Sequence, residues 1–155
     1  MTSPSTHDCT LSVCFRCRSP DWQGGPEDAR PGSALADALG QEAVRRGIDL
    51  AVLRDVRCMS QCKRPCVVAF SSLAKFTYLF GDLDPSRDAG AVLDAFMVYN
   101  ASADGFMERF ERPEVMRDGI LGRIPPLVPG ARQVELRPAR QDASCSTEPS
   151  PEISR

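Results

Sequence analysis

The chain has 155 residues, a formal net charge of −2, 42% hydrophobic residues and 26% charged residues. This length suits one domain that buries a core without disulfide bonds. The slightly acidic balance gives no electrostatic basis for binding nucleic acid or an anionic membrane. No apolar run approaches the roughly 18 residues of a spanning helix, and the start lacks the basic and apolar regions of a signal peptide. We therefore expect a cytoplasmic protein with no nucleic-acid or membrane partner, whose oligomeric state the sequence does not indicate.

The hydrophobic pattern alternates between the periods of strands and helices. It predicts, in chain order, a disordered leader over 1–8, a strand over 9–15, a loop over 18–31, a helix over 33–46 with Ser33 as its N-cap, a strand over 48–56, hairpin strands over 67–70 and 75–80, a helix over 88–101, a short helix over 113–121 and a disordered tail over 129–155. The folded domain is thus expected over 9–128. The first strand–helix–strand unit requires a parallel strand pair, and the hairpin adds antiparallel strands. We predict an α/β fold, a thioredoxin-like small mixed sheet with covering helices.

Several side chains are assigned to the core or to the surface from their spacing. The predicted buried side of the second long helix consists of Val92, Leu93, Phe96, Met97 and Tyr99. Alternation in the hairpin predicts that three aromatic residues share one core face, although they could also shield a metal cluster from water: Phe76, Tyr78 and Phe80. The mixed charges of residues 108–114 indicate a solvated face, with a docking surface as the alternative. The segment from Arg123 to Pro126 is interpreted as the stop of the third helix. The alternative is that Arg123 binds an anion.

Cysteine is unusually frequent, whereas histidine is nearly absent. The chain has seven cysteines and one histidine, His7, in the predicted leader. An odd number of closely spaced cysteines in a reducing compartment indicates metal binding or redox chemistry. The position of His7 disfavours histidine-based acid–base catalysis and Cys-His proteases. Cys9 starts the first predicted strand and Cys145 lies in the predicted tail, and both are interpreted as incidental.

Two cysteine pairs follow predicted strands. Cys14 and Cys17 end the first strand, and Cys58 and Cys62 follow the second. Four thiolates complete a tetrahedral zinc site or a 2Fe-2S cluster, and strand ends can meet at one edge of a sheet. We therefore predict these four residues as ligands. Cys66 opens the next strand and is interpreted either as a small core residue or as a fifth or alternative ligand.

A dithiol redox pair is the alternative to a metal centre. A reactive Cys-x-x-Cys usually stands at a helix N-terminus, whose dipole lowers the thiol pKa. Here Cys17 leads into a loop rich in proline and glycine, and the predicted helix starts far downstream. Arg16 and Arg18 could still stabilise a thiolate. The spacing favours metal ligation over thiol exchange.

Four motifs together resemble a bacterial family of unknown function whose members are labelled predicted metal-binding proteins. They are LSVCFRCR (residues 11–18), CMSQCKRPCVVA (58–69), FTYLFGDL (76–83) and GRIPP (122–126). The resemblance covers roughly residues 10–127. Members of that family are often associated with genes of cobalamin or metal homeostasis, which implies a role in that chemistry.

The chain also resembles, more distantly, the thioredoxin-like 2Fe-2S ferredoxins. Cys58 and Cys62 match their second ligand pair, and Cys14 matches the first ligand. Cys17 departs from the pattern, because those ferredoxins place their second ligand nearer the helix. The resemblance implies an electron carrier with a 2Fe-2S cluster and a redox partner protein. The alternatives are a zinc- or cobalt-binding protein of metal or cobalamin homeostasis and a thiol oxidoreductase, and independent enzymatic activity is the less favoured reading.

Overall fold

The computed structural model describes residues 8–135 and residue 137. It contains five strands and three α-helices: β1 (Thr10–Cys14), α1 (Pro31–Arg45), β2 (Leu53–Val56), β3 (Val68–Ser71), β4 (Thr77–Phe80), α2 (Ala89–Ala101), α3 (Glu114–Asp118) and β5 (Ile120–Ile124). Short 3-10 turns occupy Glu27–Ala29, Leu50–Val52 and Arg109–Glu111. Within the described residues, no helix combines the length and the apolar character needed to cross a bilayer.

The strands form one sheet in the order β2-β1-β3-β4-β5. β1 and β2 are parallel, and α1 connects them, as a crossover requires. The pairs β1–β3, β3–β4 and β4–β5 are antiparallel. A parallel strand–helix–strand unit followed by an antiparallel hairpin and a second helix is the predicted thioredoxin-like arrangement. The fold prediction is confirmed.

The core lies between the sheet and the two long helices. The ring of Phe70 on β3 lies 5.3 Å from that of Phe80, 5.4 Å from that of Phe96 and 5.6 Å from that of Tyr99. The predicted aromatic stripe, Phe76 just before β4 with Tyr78 and Phe80 on it, is buried, which confirms its core role. On α2, Met97 is 46% exposed, so its assignment to the buried side was wrong. Met97 lies one position beyond Phe96, and a rotation of about 100° per residue carries its side chain away from the sheet.

The structure departs from the predicted elements at several boundaries. The first departure is β5, which the sequence analysis assigned partly to the third helix; that helix ends at Asp118. The strand predicted from residue 48 begins only at Leu53, after a 3-10 turn. Ser33 is not an N-cap: its hydroxyl donates to the carbonyl oxygens of Phe15 and Glu27.

The ends of the described region contact the domain. Cys9, interpreted as incidental, is 3% exposed and packs in the core. Beyond β5, the guanidinium of Arg132 lies 4.6 Å from the ring centroid of Phe106 and pairs with Asp104 at 3.1 Å. The leader and tail boundaries remain predictions, and His7 and Cys145 lie outside the described residues.

Candidate metal centre

Because of the strand order, the loop between β2 and β3 crosses the carboxyl end of β1. β2 and β3 are consecutive in the chain but flank β1 on opposite sides, so residues 57–67, here called the cysteine loop, must pass over the carboxyl end of β1. The backbone N–H of Cys14 donates to Val67 O at 2.9 Å, and the Cys14 thiol donates to Arg57 O at 3.9 Å. The topology therefore brings the cysteines of the loop to the strand end that carries Cys14 and Cys17.

Three of these thiols are buried together. Cys14, Cys17 and Cys66 are 4%, 2% and 2% exposed. Burial, aided by a hydrogen bond with Cys14, raises the pKa of Cys17 to about 12. Burial, aided by the negative charges of Cys14 and Asp84, raises the pKa of Cys66 to about 12. Without a metal these two sulfurs stay protonated at neutral pH, and a metal ion would have to displace their protons to bind.

The other two thiols lie at the exposed tip of the cysteine loop. Cys58 and Cys62 are both exposed. The hydrogen bonds within the tip are local: Ser60 N–H donates to Cys58 Sγ at 3.3 Å, and Arg64 N–H donates to Gln61 O at 2.9 Å. Met59, between the two thiols, is partly buried and packs against the core, whereas Cys58 and Cys62 themselves remain exposed.

The N-terminus of α1 packs directly on the Cys14–Cys17 turn. Gly32 N–H donates to Cys17 O at 3.2 Å. A Cβ at Gly32 would lie 2.3 Å from Cys14 O and 2.7 Å from Cys17 N. The sequence analysis placed this helix far from Cys17, and in space that was wrong, because residues 18–30 fold back. The helix thus fixes the geometry of the first cysteine pair.

The second half of the cysteine loop is anchored to the segment after β4. Arg64 Nε donates to Asp82 Oδ2 at 2.8 Å, and Arg64 Nη2 donates to the same carboxylate and, at 3.1 Å, to Asp118 O. The backbones of Cys66 and Leu83 exchange two hydrogen bonds of 3.4 Å. These contacts hold Cys66 in place, so the loop has a fixed arm beside an exposed tip.

We expect Arg64→Gln to release this arm without unfolding the domain. The amide of Gln cannot span both Asp82 and Asp118, so the backbone pair between Cys66 and Leu83 should open more often. Hydrogen exchange measured by NMR should show faster exchange at those two amides. The matched control is Arg57→Gln in the same loop, whose exposed side chain holds no such contacts. Equal exchange in both variants would show that Arg64 does not anchor the arm.

An open cleft of about 650 Å³ lies beside the buried thiols. Its walls include Pro20, Pro31, Lys63, Cys66 and Asp84. The cleft therefore borders the start of α1, the fixed arm of the loop and the turn after β4. Clefts of this size commonly accept a ligand or a partner side chain.

One known protein family matches most of the chain. Residues 11–126 match the model of DUF1636, a protein family of unknown function. The chain belongs to the DUF1636 family. The predicted resemblance to a family of unknown function is confirmed. No match was found among curated proteins.

Among solved structures, this DUF1636 protein is similar to a thioredoxin-like 2Fe-2S ferredoxin from Aquifex aeolicus. The sequence identity is 15% and the TM-score is 0.47, over 77% of this chain and 96% of the other.

The donor chemistry of the DUF1636 chain fits a soft metal ion or an iron–sulfur cluster, because five cysteines lie on segments that meet at one end of the sheet. All six cysteines of the described region are free thiols. Within residues 8–135 no three Cys, His, Asp or Glu side chains lie close enough together to hold a metal ion as they stand. Ligation by Cys14, Cys17, Cys58 and Cys62 therefore requires the exposed tip to close over the buried pair, and this ligand set remains a prediction.

Proposed function

We propose that this protein binds a 2Fe-2S cluster through Cys14, Cys17, Cys58 and Cys62 and serves as an electron carrier. One observation carries the proposal: the cysteine loop crosses the end of β1, which brings the two cysteine pairs to the same edge of the sheet. When bound, such a cluster accepts and donates single electrons at a potential set by its surroundings. A coarser form of the proposal, a metal centre held by cysteine thiolates, rests on the same observation.

The two pairs would contribute differently to binding. Cys14 and Cys17 are buried and fixed by the start of α1, so they supply a preformed half of the site. Cys58 and Cys62 are exposed and would complete the site when the tip of the loop closes. The exposed ammonium of Lys63 and the backbone N–H groups of the tip would offset the negative charge of four thiolates. Cys66 is held in the fixed arm, and we assign it a packing role beside the ligands.

We propose that a redox partner docks at the cleft beside Cys66. The cleft is open to solvent and lies next to the buried thiols, so a partner seated there would approach the centre closely. Its walls carry one cation, Lys63, and the carboxylates of Asp82 and Asp84. These charges would orient the partner rather than supply most of the affinity.

A second candidate function is the handling of a zinc or cobalt ion on the same thiolates. The exposure of Cys58 and Cys62 favours it, because an ion held partly by an exposed, locally bonded tip can be transferred to another protein. The ion would then be cargo rather than a resident cofactor. Thiol–disulfide exchange fits the site less well: burial raises the pKa of Cys17 to about 12, which leaves little thiolate at neutral pH.

Anaerobic purification followed by absorption spectroscopy and metal analysis of the same sample tests the proposal. We expect broad visible charge-transfer bands, with two irons and two sulfides per chain as a 2Fe-2S cluster requires. A colourless protein with one tightly held zinc ion would replace the electron-carrier proposal with metal handling. A protein with neither metal nor colour, even after anaerobic reconstitution, would contradict both.

A further inference from the structure

Four arginines lie near one another, three between α2 and β5 and one on β5 itself. We call Arg109, Arg112, Arg117 and Arg123 the arginine cluster. Arg112 N–H donates to Arg109 O at 3.4 Å, and Arg117 Nε donates to Arg112 O at 2.9 Å. Arg109 Nη1 donates to Arg117 O at 3.1 Å. The side chains of Arg109 and Arg117 are therefore held by backbone carbonyl oxygens close to Arg112.

Arg112 lies beneath the others with its charge unsatisfied. It is 7% exposed, and its Nε and Nη1 have no hydrogen-bond partner in the described part of the chain. Burial lowers the pKa of Arg112, and the positive charges of Arg109, Arg123 and Arg117 lower it further. A buried guanidinium without a partner is strongly unfavourable. A negatively charged group near Arg112 would therefore stabilise its guanidinium.

The carboxylates of the protein supply only part of that charge. Arg109 Nη2 pairs with Asp118 Oδ1 at 2.7 Å, and within the described residues this is the ion pair found in the cluster. Arg123 instead donates to the neutral amide oxygen of Gln133 at 2.6 Å. Its guanidinium is also held 4.4 Å from the ring centroid of Phe106. The cluster thus keeps an excess of positive charge on side chains that are already positioned.

We propose that the arginine cluster binds a tetrahedral oxyanion of the phosphate type, either as the free ion or as a phosphomonoester. Planar guanidinium groups match phosphate oxygens in paired hydrogen bonds, and a dianion with several acceptor oxygens can serve more of them than one carboxylate can. Arg109 and Arg117 reach the surface, so an anion can approach from solvent, and Arg112 would stabilise it from below. The cluster shares Asp118 with the anchor of the cysteine loop, because Arg109 pairs with its carboxylate and Arg64 donates to its carbonyl oxygen.

Thermal unfolding in phosphate, compared with chloride at matched ionic strength, tests the site. We expect phosphate to raise the Tm of the full chain in a saturable manner, because a ligand that binds the native state stabilises it. Arg112→Met and Arg109→Gln should each weaken the apparent affinity by on the order of 10- to 100-fold, the loss of a charged hydrogen bond. Arg54→Gln on β2, at the opposite edge of the sheet, is the matched control and should keep the wild-type response.

Two further arms identify the source of the anion. O-phosphoserine binding more tightly than inorganic phosphate would assign the site to a phosphomonoester, and the reverse order would assign it to the free ion. Acetate at the same ionic strength should not reproduce the effect. The proposal is overturned if phosphate shifts the Tm equally in all variants, if acetate acts as phosphate does, or if the shift does not saturate. Should Arg112→Met fail to fold, Arg109→Gln at the surface carries the test alone.

Discussion

Replacement of Cys58 by serine is expected to abolish stable binding of the metal centre. Cys58 belongs to the exposed tip, which would complete a site that the buried pair forms only by half. A serine hydroxyl remains protonated at neutral pH and is a poor ligand for the soft ions that thiolates select. The variant should therefore retain almost no iron or zinc after desalting. Metal analysis and the visible absorption spectrum of the purified protein measure this directly.

The matched control is Cys9→Ala, at the opposite end of β1. Cys9 is also buried, but it precedes the strand rather than ending it, so its loss should leave the metal content unchanged. Cys66→Ala should likewise retain the centre if Cys66 only packs beside the ligands. Full metal content in Cys58→Ser would refute the proposed ligand set, and loss of the centre in Cys66→Ala would bring that residue into it.

Substitution of Gly32 by alanine should disrupt the packing of α1 against the Cys14–Cys17 turn. The new Cβ would lie 2.3 Å from Cys14 O and 2.7 Å from Cys17 N, and both are backbone atoms that cannot rotate away. The start of α1 must then separate from the Cys14–Cys17 turn. We expect the free energy of unfolding to fall by about 3 kcal/mol, the upper range for overpacking, and the metal affinity to fall with it. Urea unfolding and metal analysis of the same preparation report the two effects.

Gly40→Ala is the control on the same helix. Nothing lies within 4 Å of a Cβ built at Gly40. Alanine there should raise the free energy of unfolding by up to about 1 kcal/mol, through its greater helix propensity, with unchanged metal content. If the two glycine variants were equally stable, close packing of α1 on the cysteine turn would be contradicted.

Much of the fold could be predicted from the sequence because its strands and helices have strong periodic patterns. The alternation in β1 and β4 and the four-residue spacing of Leu35, Leu39 and Ala43 in α1 led to correct element types. β5 was missed because it is a short edge strand that carries Gly122 and ends before two prolines. Its pairing with β4 depends on tertiary contacts that a local pattern does not show.

The candidate site could be predicted only in part. Cysteine spacing indicated the candidate ligands, and the strand order explains why the segments that carry them meet at one end of the sheet. The split into buried thiols and an exposed tip was not visible, because burial depends on how α1 and the segment after β4 pack around the loop. Arg112 was likewise hidden within a run of charges that predicted a solvated face. Nothing local distinguishes it from Arg109, three residues earlier, which lies at the surface.

The pairing of β1 with β3 also sets the order of events during synthesis of the chain. Thr10 and Ser71, which face each other across these strands, are 61 residues apart. Cys14 and Cys17 therefore leave the ribosome well before the cysteine loop exists, and they have no β3 to cover them. The nascent chain carries these thiols uncovered until synthesis has passed Ser71. The proposed metal centre, which needs both pairs, would therefore assemble only after the cysteine loop and β3 have left the ribosome.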